Sequence, residues 1–280
     1  IKRSPIFYGW WIVWSFFSMN FYWSGTLIVG MSALFNPIKD AFGLSAATTT
    51  LALTSVRQTV AMVAAPAVGH GFDRLGPRPL ALGSTLVTAG GLFIIAAAQG
   101  LLMLWVGVGV VSIGFAVYAS GIGPAAAAQW FVRNRGRAIS IVIAGAGLGG
   151  LLTRGLVFIE AEWGWRVAVT CIAVGLLAIG VPGSMILRHR PEQYGLMPDG
   201  DTPSVRLDKV QTGSESLCQG RLPHDYEFGD ALRTPALWLV LAVQGAIALG
   251  NASVSLLVIP HLEDKGWSTS TAAWVAVSLA

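Results

Sequence analysis

Seven stretches of this chain are each apolar over a length that can cross a lipid bilayer, and an eighth begins before the sequence stops. They occupy about residues 8 to 34, 46 to 68, 80 to 98, 101 to 128, 138 to 159, 165 to 187 and 236 to 260, and the eighth opens near Ser268. A hydrocarbon core takes roughly 20 helical residues. Lipid offers no partner to a free amide or carbonyl, so each run has to close its own backbone hydrogen bonds. The period-two alternation of a barrel strand is absent. The expected fold class is therefore an all-α polytopic membrane protein. Composition agrees, with 54% hydrophobic residues, 11% charged residues and a mean hydropathy of +0.64.

The basic residues set the expected topology, because cytoplasmic loops collect Lys and Arg. Lys2, Arg3, Arg74, Arg78, Arg133, Arg135, Arg137, Arg188, Arg190, Arg206, Lys209, Arg221 and Arg233 all fall on the side of the N-terminus. Lys39, Arg166 and Lys265 fall on the other side, and Arg57 and Arg154 lie inside runs. The N-terminus is expected to be cytoplasmic, in a multi-pass protein of the plasma or inner membrane. Lys2 and Arg3 precede a first run too long for a signal-peptide core and without a small-residue cleavage site, so it is kept as a span. Residues 188–235 are polar and rich in Pro, Gly and Ser, which makes them a cytoplasmic linker. The organisation expected is a six-helix bundle over 1–187, the linker over 188–235, and the start of a second bundle over 236–280. The sequence opens at Ile1 without a methionine and stops inside "STSTAAWVAVSLA". It is expected to be part of a longer chain.

Several function classes receive no support. Cys171 lies in a run and Cys218 in the linker, so no disulfide is expected. His70, His189, His224 and His261 are scattered without metal-ligand spacing. No cofactor, metal site or activated nucleophile is suggested, and no enzyme is expected. The basic pI of about 9.3 follows from the cytoplasmic loops and does not call for a nucleic acid.

Between the second and third runs stands "GHGFDRLGPRP". Its Gly69, Asp73, Arg74, Gly76 and Arg78 match a G-x-x-x-D-R-x-G-x-R pattern, and the chain resembles the major facilitator superfamily on this ground. "FYGWW", "WFVRNRGRAISIVIAGAGLGG", "GWR", "RHRPEQYGLMPDGD" and "ALRTPALWLV" occur in order and resemble its monocarboxylate-transporter and oxalate/formate-antiporter-like branch. The resemblance implies a secondary active transporter of small organic anions, monomeric when complete and working by alternating access as a symporter or antiporter, with a coupling ion as a possible further partner. It also implies that Asp73 latches the cytoplasmic gate against a helix N-terminus, helped by the loop arginines. Two departures stand out. The fourth run carries no arginine, which leaves proton coupling without its usual signature. Gly145, Gly147, Gly149 and Gly150 lack a following Gly-Pro, and close packing through Gly145-x-x-x-Gly149 is the preferred reading.

Substrate residues are sought among polar groups at mid-depth, where ionisable side chains are costly. Arg57 is counted close to the bilayer centre and shares a helix face with Thr50 and Thr54. It is either a carboxylate-binding arginine or an internal clamp bonded to carbonyls or an acid. Arg154 lies nearer the outer leaflet and lines a vestibule, snorkels, or pairs with Glu160 or Glu162. Gln244 and Asn251 belong to a polar stripe on the seventh run, which borders the cavity or packs helices. Asn20 with Ser24, and Tyr118, complete the candidates. Other readings kept open are transport of a different solute such as a drug, and a non-transporting sensor on the same scaffold.

Overall fold

The computed structural model describes residues 7–28, 30–45, 48–49, 56–189, 194, 199, 234–236, 238–240, 242–243 and 246. Two units are distinguished, Ile1–Asp208 and Lys209–Ala280. In the second unit the described residues from 235 to 246 are helical.

The first unit is all helix among the described residues. It begins with α1 (Tyr8–Trp23), a π turn (Ser24–Ile28), α2 (Gly30–Ala33) and α3 (Phe35–Phe42). There follow α4 (Val56–Leu75), α5 (Pro77–Ala96), α6 (Leu101–Ala119), α7 (Ile122–Trp130), α8 (Arg135–Leu148) and α9 (Gly150–Ile186). Three stretches of described residues are long and apolar enough to cross a membrane: Pro77–Ala96, Leu101–Trp130 and Arg135–Ile186. The chain is thus an all-α, multi-pass membrane protein. The third stretch would run about 78 Å as one straight helix, more than twice a hydrocarbon core. It is broken at Gly164 (φ 80°, ψ 165°), where the sequence separates the fifth run from the sixth.

α1 lies against α8 and α9, α6 lies against α5 and α4, and α5 lies against α9. In terms of runs, the first meets the fifth and sixth, the fourth meets the second and third, and the third meets the sixth.

Lipid tails are as apolar as leucine, so close fit rather than exclusion from water draws membrane helices together. The contact of the first run with the fifth shows this. A Cβ on Gly25 would collide with the Gly149 carbonyl, and one on Gly149 would stand 2.6 Å from the Gly25 nitrogen. Gly145 likewise faces the Phe17 carbonyl too closely for any side chain. Outward positions such as Leu102, 80% exposed, are left for lipid. The interior forms two layers along the helices. One gathers Trp23, Leu27, Leu92, Leu104, Phe115 and Ile172. The other gathers Ile12, Phe16, Phe72, Trp130, Phe131 and Leu187.

Candidate functional site

Arg57 sits in the first described turn of α4 and is only 8% exposed. Its Nη1 donates to the Leu27 carbonyl inside the π turn, and its Cζ lies 4.5 Å from the centroid of the Phe115 ring. A small cavity beside it is walled by Met31, Ile95, Val108, Val111 and Ser112. Ser112 is already spent, since its hydroxyl donates to the Val108 carbonyl at 2.7 Å. Arg57 Nε is buried without a hydrogen-bond partner, and among the described residues no carboxylate pairs with this guanidinium. A backbone carbonyl and an aromatic face lower the cost of burying the cation, but neither supplies a counter-charge. Leu27 lies about 28 Å along the helix from Tyr8. Arg57 accordingly lies towards the end of the bundle opposite Tyr8.

A second cavity opens at the seam between the two core layers. Met19, Asn20, Trp23, Ser84, Tyr118 and Gly123 are among its walls, and it is partly open. Asn20 and Tyr118 are thus brought together, and Phe115, the ring against Arg57, packs on Tyr118 at 5.8 Å. Asn20 Nδ2 donates to the Val142 carbonyl at 2.9 Å, tying the first run to the fifth. The Tyr118 ring stacks on Trp23 at 5.0 Å with 4° between planes. Its hydroxyl has no partner among the described residues. Trp23 and Ser84 were missed in the sequence because an aromatic and a serine inside apolar runs look like ordinary packing.

The end that carries Tyr8 is built differently. Gly76 turns the chain between α4 and α5 at φ 82°, and a Cβ there would run into the His189 ring, with Cγ at 2.9 Å. Phe72 stacks on the same imidazole at 6.1 Å. Asp73, Arg74 and Arg78 are exposed, and Gly69 is an exposed helical residue with open space around it. Tyr8 donates its hydroxyl to the Ile186 carbonyl at 2.8 Å, and Trp130 Nε1 donates to the Arg188 carbonyl at 3.3 Å. The Arg188 guanidinium lies 4.1 Å from the Tyr8 ring centroid and 4.5 Å from that of Tyr194. Asp199 accepts from the amides of Val132 and Arg133 through Oδ2 at 2.9 and 2.7 Å, and from Asn134 through Oδ1 at 3.4 Å. Three successive amides converging on one carboxylate form a charge-assisted clasp.

A family model of the Major Facilitator Superfamily matches residues 6–280. The chain belongs to the major facilitator superfamily. Members of this superfamily are membrane transporters and not enzymes. Over 135 residues the chain is also 33% identical to the Fujikurins efflux protein of Gibberella fujikuroi (strain CBS 195.34 / IMI 58289 / NRRL A-6831). That alignment covers 46% of this chain and 27% of the relative, so the match spans about a quarter of the relative's length.

The remaining candidates are placed less informatively within this superfamily scaffold. Arg154 is exposed on α9 and makes no ion pair with Glu160 or Glu162. Thr50, Thr54, Gln244 and Asn251 lie outside the described residues. Among the described residues, no three His, Cys, Asp or Glu side chains gather to hold a metal ion.

Proposed function

We propose that the complete protein is a secondary transporter of small organic anions of the monocarboxylate kind, working by alternating access. The observation that carries this reading is Arg57, a buried guanidinium with a free Nε and no carboxylate partner among the described residues. A cation in a low-dielectric interior is retained at a cost, and intramembrane charges mark substrate or ion pathways. A carboxylate would supply the missing charge through hydrogen bonds that suit the arginine fork. Superfamily membership supports transport, and the branch motifs of the sequence support a monocarboxylate. On this reading residues 1–187 form the six-helix N-terminal bundle, 188–235 the cytoplasmic linker and 236–280 the start of the second bundle. The complete transporter is monomeric with its N-terminus in the cytoplasm, and Asp73, exposed beside the Gly76 turn, serves the cytoplasmic gate.

A second reading is export of a larger organic product. It is favoured by the printed name of the relative, an efflux protein. The experiment that separates the two uses full-length protein in proteoliposomes and follows uptake of labelled lactate. Accumulation above empty vesicles, suppressed by excess pyruvate and unaffected by tetraethylammonium, is the expected result. Uptake no greater than in empty vesicles would reject the monocarboxylate reading in favour of export.

A further inference from the structure

A single π turn inside a helix is rare and is frequently found where a protein functions. Ser24–Ile28 is such a turn. Widening one turn disturbs the regular carbonyl ladder and lets carbonyls accept from outside their own helix. Two carbonyls of this turn do so. Thr153 Oγ1 on α9 donates to the Gly25 carbonyl at 3.2 Å, while Arg57 Nη1 on α4 donates to the Leu27 carbonyl. The acceptors stand two residues apart on one turn, so moving the first displaces the second. Thr26, between them, is tied back to the Tyr22 carbonyl of its own helix at 2.7 Å. The Gly25 backbone also abuts Gly149 with no space for a side chain, which prevents the turn from sliding towards the fifth run.

We infer that Thr153 is a positioning residue for Arg57, acting across the π turn. Its hydroxyl fixes the Gly25 carbonyl, and this sets where the Leu27 carbonyl points. Arg57 Nη1 is held there with its guanidinium against Phe115, while Nε keeps its hydrogen unused. The consequence for transport rests on the reading of Arg57 as the anion contact, whereas the positioning itself does not. Thr153 carries no charge and has no reactive role, and its contribution is one hydroxyl in one place.

The test uses purified full-length protein as wild type, Thr153→Val, Thr153→Ser and Thr170→Val. Thr170 is the control, because its hydroxyl bonds only the Arg166 carbonyl of its own helix. Each protein is treated with phenylglyoxal, and the modification rates of individual arginines are read by peptide mass spectrometry. Thr153→Val keeps the shape and removes the donor. It is expected to raise the rate at Arg57 about fivefold, the equivalent of one net hydrogen bond, and to leave exposed Arg78 unchanged. Thr153→Ser should restore the wild-type rate, and Thr170→Val should match wild type. An unchanged Arg57 rate in folded Thr153→Val, or no recovery with Ser, overturns the inference. So does an equal rise at Arg166, whose Nη2 is held by the Ala98 carbonyl at 2.6 Å, since that would mark general loosening. Should Thr153→Val fail to fold, Thr153→Ala removes the same donor and is judged by the same rates. A parallel uptake assay separates the two claims. If Arg57→Lys leaves the KM for lactate unchanged, the anion contact fails while the modification result still decides the positioning.

Discussion

The two ends of the described bundle use polar groups in opposite ways. Around Tyr8, Gly76, His189 and Asp199, polar and aromatic groups are consumed by structure, with carbonyls, amides and rings matched across four chain segments. Around Arg57 the surroundings are apolar, one charge is buried, and part of its hydrogen-bonding capacity is unused. Saturated hydrogen bonding rigidifies, whereas an unsatisfied buried group persists only where something else compensates for it. The contrast teaches that the Gly76 turn, the Tyr8 and Trp130 bonds and the Asp199 clasp are fastenings, while a lone buried arginine in an apolar run is the place to look for chemistry.

The largest effect should come from breaking the fastening at its turn. Gly76→Ala puts a side chain at positive φ and into the His189 ring, and should destabilise the full-length protein by at least about 2 kcal/mol. Thermal unfolding in detergent measures it, and a midpoint equal to wild type would remove Gly76 from the account. Asp199→Ala should cost less, about 1–2 kcal/mol, because its clasp is partly exposed to water. Asp199→Asn, which keeps an acceptor without the charge, should fall between wild type and Asp199→Ala. A wild-type midpoint for Asp199→Ala would show the clasp to be idle. Arg154→Gln marks the lower bound. Exposed and unpaired, it should change stability by less than about 0.5 kcal/mol, and a larger loss would reveal a partner that the described residues do not supply.

Much of this was legible in the sequence, for reasons that are local. The apolar runs follow from bilayer thickness, and the break between the fifth and sixth falls at Gly164. The Gly145 and Gly149 pair was readable as close packing because small residues four apart share a helix face. Gly76 could be singled out because a glycine flanked by an acid, bases and prolines marks a turn. What was not legible depends on residues far apart in the chain. Nothing local distinguishes the π turn at Ser24–Ile28 from an ordinary helix, because its peculiarity lies in bonds from Arg57 and Thr153. Asp199 reads as a linker acid until the amides of 132 to 134 are placed beside it. Arg57 was visible as a charge in a run, but its contacts with Leu27 and Phe115 were not.

On the proposed reading, Arg57 holds a carboxylate with the part of its fork that the protein leaves free. The affinities of purified full-length wild type and Arg57→Lys for lactate, each checked for monodispersity and thermal midpoint, test it most directly. Lysine keeps the charge but cannot hold the Leu27 carbonyl and a carboxylate with one planar group. Binding is expected to be weaker by about tenfold or more, the equivalent of one charged hydrogen bond, with both proteins folded. Equal affinities from well-folded samples would contradict it and move the anion to the cavity of Asn20 and Tyr118.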